Sequence, residues 1–166
     1  VLNARLFKSE QIGIATTLIS ITGLLTSLSQ FGFNTATITY LPSHKDKTHF
    51  VHTAYFVVTF AALIAAIFFL ILIPVLSKQL LFIRSSTIFI LFFITLQIVS
   101  SVNAITDSIF IAYRSAKYIL FIDSVVAIVK LVAPVLFINA AILGIFYSFA
   151  TATTVGMLIS IAVVWK

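Results

Sequence analysis

The sequence predicts an all-α fold, a polytopic transmembrane bundle of about five spans, and three observations carry that expectation. First, 61% of the residues are hydrophobic and only 8% charged, with a mean hydropathy of +1.23. Soluble domains hold about 45–50% apolar and about 25% charged residues. Second, the apolar residues gather in nearly charge-free runs of about 20, the length a helix needs to cross a hydrocarbon core of about 30 Å. Third, these runs are uninterrupted and lack the period-2 alternation of a membrane barrel strand.

Five runs meet the length criterion. Residues 12–33 form the first, flanked by Lys8-Ser9-Glu10 and by a polar connector at 34–48. Residues 53–76 form the second, almost purely aliphatic and aromatic, with Pro74 near its end. The third covers 85–106 and is expected to continue through Asp107 to Ala112. The fourth, 118–138, carries Asp123, Lys130 and Pro134. The fifth, 142–164, is entered through Asn139 and Gly144. Between them lie short polar links: Pro42-Ser43-His44-Lys45-Asp46-Lys47, Ser77-Lys78-Gln79 with Arg84, and Arg114-Ser115-Ala116-Lys117. Short links make successive spans antiparallel neighbours, so residues 1–166 read as a single up-and-down transmembrane domain.

The net charge of +6 does not point to nucleic acid, because the basic residues are scattered over links and span ends. Lys45, Lys47, Arg114, Lys117 and Lys166 fall on one side and Arg5, Lys8, Lys78 and Arg84 on the other. Five against four is a slight tilt that favours the Lys45 and Arg114 links as cytoplasmic without deciding the orientation. Absence of cysteine excludes disulfides and thiol-based metal or redox chemistry. The first ten residues have no apolar core and do not read as a cleavable signal peptide. The chain begins with Val and stops where a span ends, at Trp165-Lys166, and is expected to be a fragment of a longer protein.

Polar residues recur inside four spans. Thr16, Ser20, Gly23, Ser27, Gln30 and Asn34 follow one another at helical spacing in the first, a single stripe. The third holds Gln97, Ser100, Asn103 and Asp107 within one arc; the fourth holds Asp123, Ala127, Lys130 and Pro134; the fifth holds Gly144, Ser148, Thr151 and Thr154. Small and hydroxylated residues ordinarily form the packing surface between membrane helices, which accounts for the Thr, Ser and Gly stripes without any further role. The second span lacks a stripe and is expected to be the most lipid-exposed.

Lys130 is the hardest residue to explain as packing. A charge at the bilayer centre costs roughly 2.5–3.5 kcal/mol on insertion scales, and such residues usually face a partner or a polar cavity. Asp123 lies two helical turns earlier on the same face, about 10.5 Å away along the axis, too far for a direct ion pair. From mid-span a lysine stem of about 6 Å does not reach headgroups roughly 15 Å away. Two readings stand, a polar pathway and structural pairing with other helices. Pro134 removes the backbone bond to the Lys130 carbonyl, so a kink beside the charge is expected.

No enzyme motif appears: neither H-E-x-x-H, nor G-x-S-x-G, nor a phosphate-binding glycine loop. His44, His49 and His52 cluster near one link, and His49 with His52 has metal-ligand spacing, but without a third ligand they read as a solvated interfacial group and no metal or cofactor is expected. Tyr118 and Trp165 read as interfacial anchors.

Several short segments resemble a known family. Leu6-Phe7-Lys8-Ser9-Glu10-Gln11-Ile12-Gly13 is similar to the start of the second span of polysaccharide export flippases. Phe31-Gly32-Phe33-Asn34-Thr35-Ala36 with Tyr40-Leu41-Pro42 resembles the exit of that span. Ser108-Ile109-Phe110-Ile111-Ala112-Tyr113-Arg114-Ser115-Ala116-Lys117 resembles the link between spans four and five, and Ala141-Ile142-Leu143-Gly144-Ile145 the turn before span six. The chain thus resembles, over nearly its whole length, the N-terminal lobe of the O-antigen and teichoic-acid flippase branch of the multidrug/oligosaccharidyl-lipid/polysaccharide exporter superfamily. It departs from that pattern at Tyr113, which precedes Arg114, and at Asn139-Ala140-Ala141, where a glycine is usual.

The resemblance implies spans two to six of about twelve to fourteen in a two-lobed, alternating-access transporter of the cytoplasmic membrane, with a central cationic cavity for lipid-diphosphate-linked glycans. Its partners would be the lipid bilayer, the lipid-linked glycan, the remaining spans of the same polypeptide and a coupling ion, H+ or Na+. Lys130, with Arg114 and Lys117, would hold the anionic diphosphate or sugar acids, a lysine offering a point charge suited to phosphate. Asn103 and Gln97 would line the cavity, and Asp123 and Asp107 would act as counter-charges or coupling sites. The alternatives are a multidrug exporter of the same superfamily, whose cavity would favour acidic and aromatic residues, and a noncatalytic subunit of a membrane complex, whose intramembrane charges a partner would match. A membrane enzyme such as a glycan polymerase ranks last, since no link is long enough to carry a catalytic set.

Overall fold

The computed structural model describes residues 9–76, 78–136 and 144–164. Among the described residues six α-helices follow one another: α1 Ser9–Gln30, α2 Phe33–Tyr40, α3 Lys47–Leu76, α4 Thr87–Ala112, α5 Ala116–Leu136 and α6 Gly144–Val164. Turns of 3-10 helix lie at Leu41–Ser43 and Lys78–Ser85, and no strand occurs among the described residues. All but the short α2 are long and apolar enough to cross a membrane, so the chain is an all-α bundle and a multi-pass membrane protein. The expected turn at Asn139, the end of the fourth span and start of the fifth, the Trp165 anchor, Lys166 and the segment before Ser9 lie outside the described residues.

Helix ends differ from the apolar runs for local reasons. The 34–48 connector is not a loop: α1 stops at Phe31 and Gly32, both left-handed (φ 43° and 78°), and the chain turns directly into α2. Phe31 adopts this conformation at a steric cost that Gly32 does not incur. α3 then begins six residues before the apolar run, at Lys47, because Asp46 caps it: its Oδ1 accepts the His49 N–H at 3.0 Å. An apolar run marks the hydrocarbon-crossing part of a helix, whereas capping decides where the helix starts. Ser86 does the same for α4, its side chain accepting from the Ile88 N–H. The helices continue through Pro74 and Pro134.

α4 is the centre of the bundle and touches each of the other five helices. Its residues Phe93 and Leu96 join Leu18 and Leu25 of α1, Ala66, Phe69 and Ile73 of α3, and Phe146 and Ala150 of α6 in one core. The Phe69 and Phe93 rings meet at 5.3 Å. α1 packs through Ala15, Leu18, Thr22, Leu25 and Ser29, a regular 3-4 seam. α5 packs chiefly on α6 and only lightly on α4. Gly156 of α6 allows that approach: a Cβ there would lie 2.7 Å from Val126 Cγ2.

The expectation that the second span is the most lipid-exposed is corrected. Of the apolar stretch of α3, 39% is buried inside the bundle, against 17% for α5. Lipid tails are as apolar as a protein core, so the absence of polar residues does not tell a lipid-facing helix from a packed one.

Candidate functional site: intramembrane charges on an open face

The intramembrane polar residues fall into separate groups. On α5, Asp123, Ala127 and Lys130 are all exposed and form one outward face, while Pro134 and Ile122 turn inward and are buried. Asp123 lies seven residues, about 10 Å, inside the start of the helix, and Lys130 two turns further. The Lys130 ammonium sits 5.2 Å from the centre of the Phe149 ring on α6. Neither Asp107 nor Asp123 pairs with it among the described residues. A partly exposed cation over an aromatic ring gains roughly 0.5–1 kcal/mol, well short of what an ammonium loses on leaving water. Lys130 is thus exposed on the outer side of α5, with its ammonium over an aromatic ring of α6 and no carboxylate paired with it among the described residues.

The arc on α4 divides into two rows. Gln97 and Ser101 face α1, where Gln97 Nε2 donates to Thr26 Oγ1 at 3.2 Å and to Ser101 Oγ at 3.3 Å. The Ser29 and Ser101 hydroxyls meet at 2.8 Å, and Gln30 Nε2 donates to the Ser101 carbonyl at 3.1 Å. Gln97 is fully buried in this seam, so its assignment to a substrate cavity does not hold within this bundle; it joins two helices. Asn103 and Asp107 belong to the other row. Ser160 Oγ of α6 donates to Asn103 Oδ1 at 3.4 Å. Asp107 is partly buried and lies within electrostatic reach of Asp123 on α5 and Tyr55 on α3. The Tyr55 and Thr106 hydroxyls are 2.9 Å apart. Residues 97 and 103 are six apart, about 120° around a helix at 100° per residue, which is why one arc serves two neighbours.

The stripe on α1 is not the helix-packing surface it resembles. Thr16, Ser20, Gly23 and Ser27 are exposed, and only Gln30 turns inward. With Gly13, Thr17 and Leu24 part of this face lines an open hollow of about 560 Å³. Thr16, Thr17 and Ser27 nevertheless bond to the carbonyls four residues earlier. Their hydroxyls are satisfied within the helix, so this face tolerates lipid, whereas Asp123 and Lys130 have no such internal remedy.

Arg114 and Lys117 lie at the α4–α5 turn, apart from Lys130. Arg114 is exposed and left-handed (φ 55°), and closes α4 with bonds from Arg114 N–H to the Ile111 carbonyl and from Ser115 N–H to the Phe110 carbonyl. This is the position glycine usually takes. Arg114→Gly is expected to raise stability by about 1 kcal/mol, seen as a higher thermal midpoint in detergent; an unchanged or lower midpoint would mean the arginine side chain contributes more than its backbone strain costs. Lys117 is exposed, its ammonium 5.1 Å from the centre of the Tyr118 ring.

Lys130, Asn103 and Gln97 stood out in the sequence, but Phe149 and Ser160, which meet Lys130 and Asn103, and Thr26 and Ser101, which meet Gln97, did not. The 97/101 and 26/29 spacings were a usable signal for the α1–α4 seam; an aromatic partner on another helix leaves none. Among the described residues no three His, Asp or Glu side chains gather as a metal site. Compared with known protein families, curated proteins and solved structures, the chain finds no match.

Proposed function

We propose that this chain is one lobe of an alternating-access flippase that moves lipid-linked oligosaccharide or polysaccharide precursors across the cytoplasmic membrane. The observation that carries the reading is the outward face of α5, where Asp123 and Lys130 stand exposed at membrane depth. Charges there are tolerated where they face protein or water, so this face has to be covered by something other than lipid. A water-filled pathway between this lobe and further spans meets that need. In this reading Lys130 meets the anionic diphosphate of the lipid-linked glycan as the carrier opens to either side. Asp107 on α4 and Asp123 on α5, within electrostatic reach of one another, act as counter-charge or take up the coupling ion. Gln97 holds the α1–α4 seam instead of touching substrate, and Arg114 and Lys117 act at the membrane surface. No catalytic step is involved.

The opposite charges of Asp123 and Lys130 on one face also suit a noncatalytic subunit whose partner presents matching charges. Cysteine labelling separates the two, aided by the lack of native cysteine. Asp123→Cys, Ala127→Cys and Lys130→Cys in native membranes are expected to react with a water-soluble maleimide, while Ile122→Cys and Ala133→Cys, on the buried side, stay silent. Silence at all five positions would overturn the transport reading and put the subunit reading ahead.

A further inference from the structure

The basic end of the bundle carries a feature that transport does not use. Four chain segments converge there: the start of α3, the end of α4, the start of α5 and the end of α6. Between them lie two adjoining hollows of about 210 and 130 Å³, which share Ile109, Tyr113 and Val164 as a common wall. Lys47 lines the larger hollow, its ammonium 5.7 Å from the centre of the Tyr113 ring. Tyr118 lines the smaller, with the Lys117 ammonium over its ring. Tyr113 and Tyr118 are both exposed, so the hollows are open.

Among the described residues lining these hollows there is no carboxylate. The nearby Asp46 is engaged at the start of α3, where Oδ1 accepts the His49 N–H. Each ammonium keeps donors for an anion, since an aromatic face takes up its charge without accepting a directed hydrogen bond from all three N–H groups. Beside Tyr113, the shared wall is aliphatic, made by Ile109 and Val164. Cations above, aromatic rings at the rim and an apolar floor at a span end match an anionic headgroup with its acyl chain.

We infer that Lys47, over the Tyr113 ring, and Lys117, over the Tyr118 ring, hold the phosphate of one anionic phospholipid from the surrounding leaflet, its acyl chain lying along Ile109 and Val164. This lipid site is separate from the outward face of α5 and does not depend on what the protein transports. A basic side chain near an anionic leaflet contributes about fivefold in affinity, so two lysines should yield a preference of tenfold or more.

The test uses the whole chain in detergent micelles supplied with phosphatidylglycerol, phosphatidylcholine or inorganic phosphate, with bound molecules counted by native mass spectrometry. One phosphatidylglycerol per chain is expected, retained about tenfold over phosphatidylcholine. The double variant Lys47→Gln/Lys117→Gln should lose most of that preference, while Lys45→Gln keeps it. Equal retention of the two lipids by the unaltered chain would overturn the inference, as would an undiminished preference in the double variant. Displacement of the lipid by millimolar inorganic phosphate would overturn the lipid assignment in favour of a free-phosphate site. Should the double variant fail to fold, the comparison of the two lipids on the unaltered chain decides alone.

Discussion

Lys130→Ala is expected to lower translocation of a lipid-linked glycan by tenfold or more, with membrane insertion and abundance unchanged. The asymmetry follows from where the side chain sits. Its ammonium lies over the Phe149 ring, a contact worth roughly 0.5–1 kcal/mol at an exposed site, so the bundle loses little. A substrate phosphate in the pathway would lose a charge-assisted partner, and about 1.4 kcal/mol already corresponds to tenfold. Lys130→Arg, which keeps the charge but spreads it over a planar fork, should retain part of the activity. Translocation is read by the appearance of labelled lipid-linked glycan on the far side of reconstituted vesicles. Normal transport by the alanine variant would sink the assignment of Lys130 to substrate.

Gly156→Val should have the opposite profile: loss of folded protein rather than loss of a function. Even a Cβ at this position would lie 2.7 Å from Val126 Cγ2, with Ile122 Cγ2 at 4.0 Å behind it. Val126 is β-branched and has essentially one rotamer in a helix, so it cannot swing aside. Overpacking of this kind typically costs 1–3 kcal/mol. α5 is the span with the smallest buried share and has α6 as its main neighbour, so the cost falls on the contact that holds it. We expect a markedly lower thermal midpoint and faster proteolysis of the α4–α5 link, with Gly156→Ala intermediate. Val126→Ala added to Gly156→Val should restore much of the loss. A variant as stable as the parent would mean that α5 and α6 do not meet at this glycine.

The membrane helices were legible because each depends on one local property, the length of an uninterrupted apolar run. Their ends were less so: Asp46 and Ser86 set the starts of α3 and α4 through capping bonds, and the left-handed Phe31 and Gly32 turn a supposed connector into α2. Lys130 and Asp123 were visible as misfits in apolar sequence. Their relation to the bundle was not, since one helical face looks the same whether it meets a neighbour or open space. The α1 stripe misled for the same reason: Thr16 and Ser27 have the spacing of a packing surface, yet Ala15, Leu18 and Thr22 are the residues that pack.

By itself the sequence determined that this chain is helical, that it crosses a membrane several times, and that a few charges lie where charges are costly. Those properties follow from hydropathy summed along the chain, which needs no knowledge of neighbours. Only the tertiary structure decided that Gln97 closes a seam, that Asn103 and Asp107 look toward other helices, and that Lys130 looks out. Helix faces separated by about 100° per residue meet different partners, and in a bilayer lipid and protein interior are equally apolar, so no local pattern encodes which face turns inward.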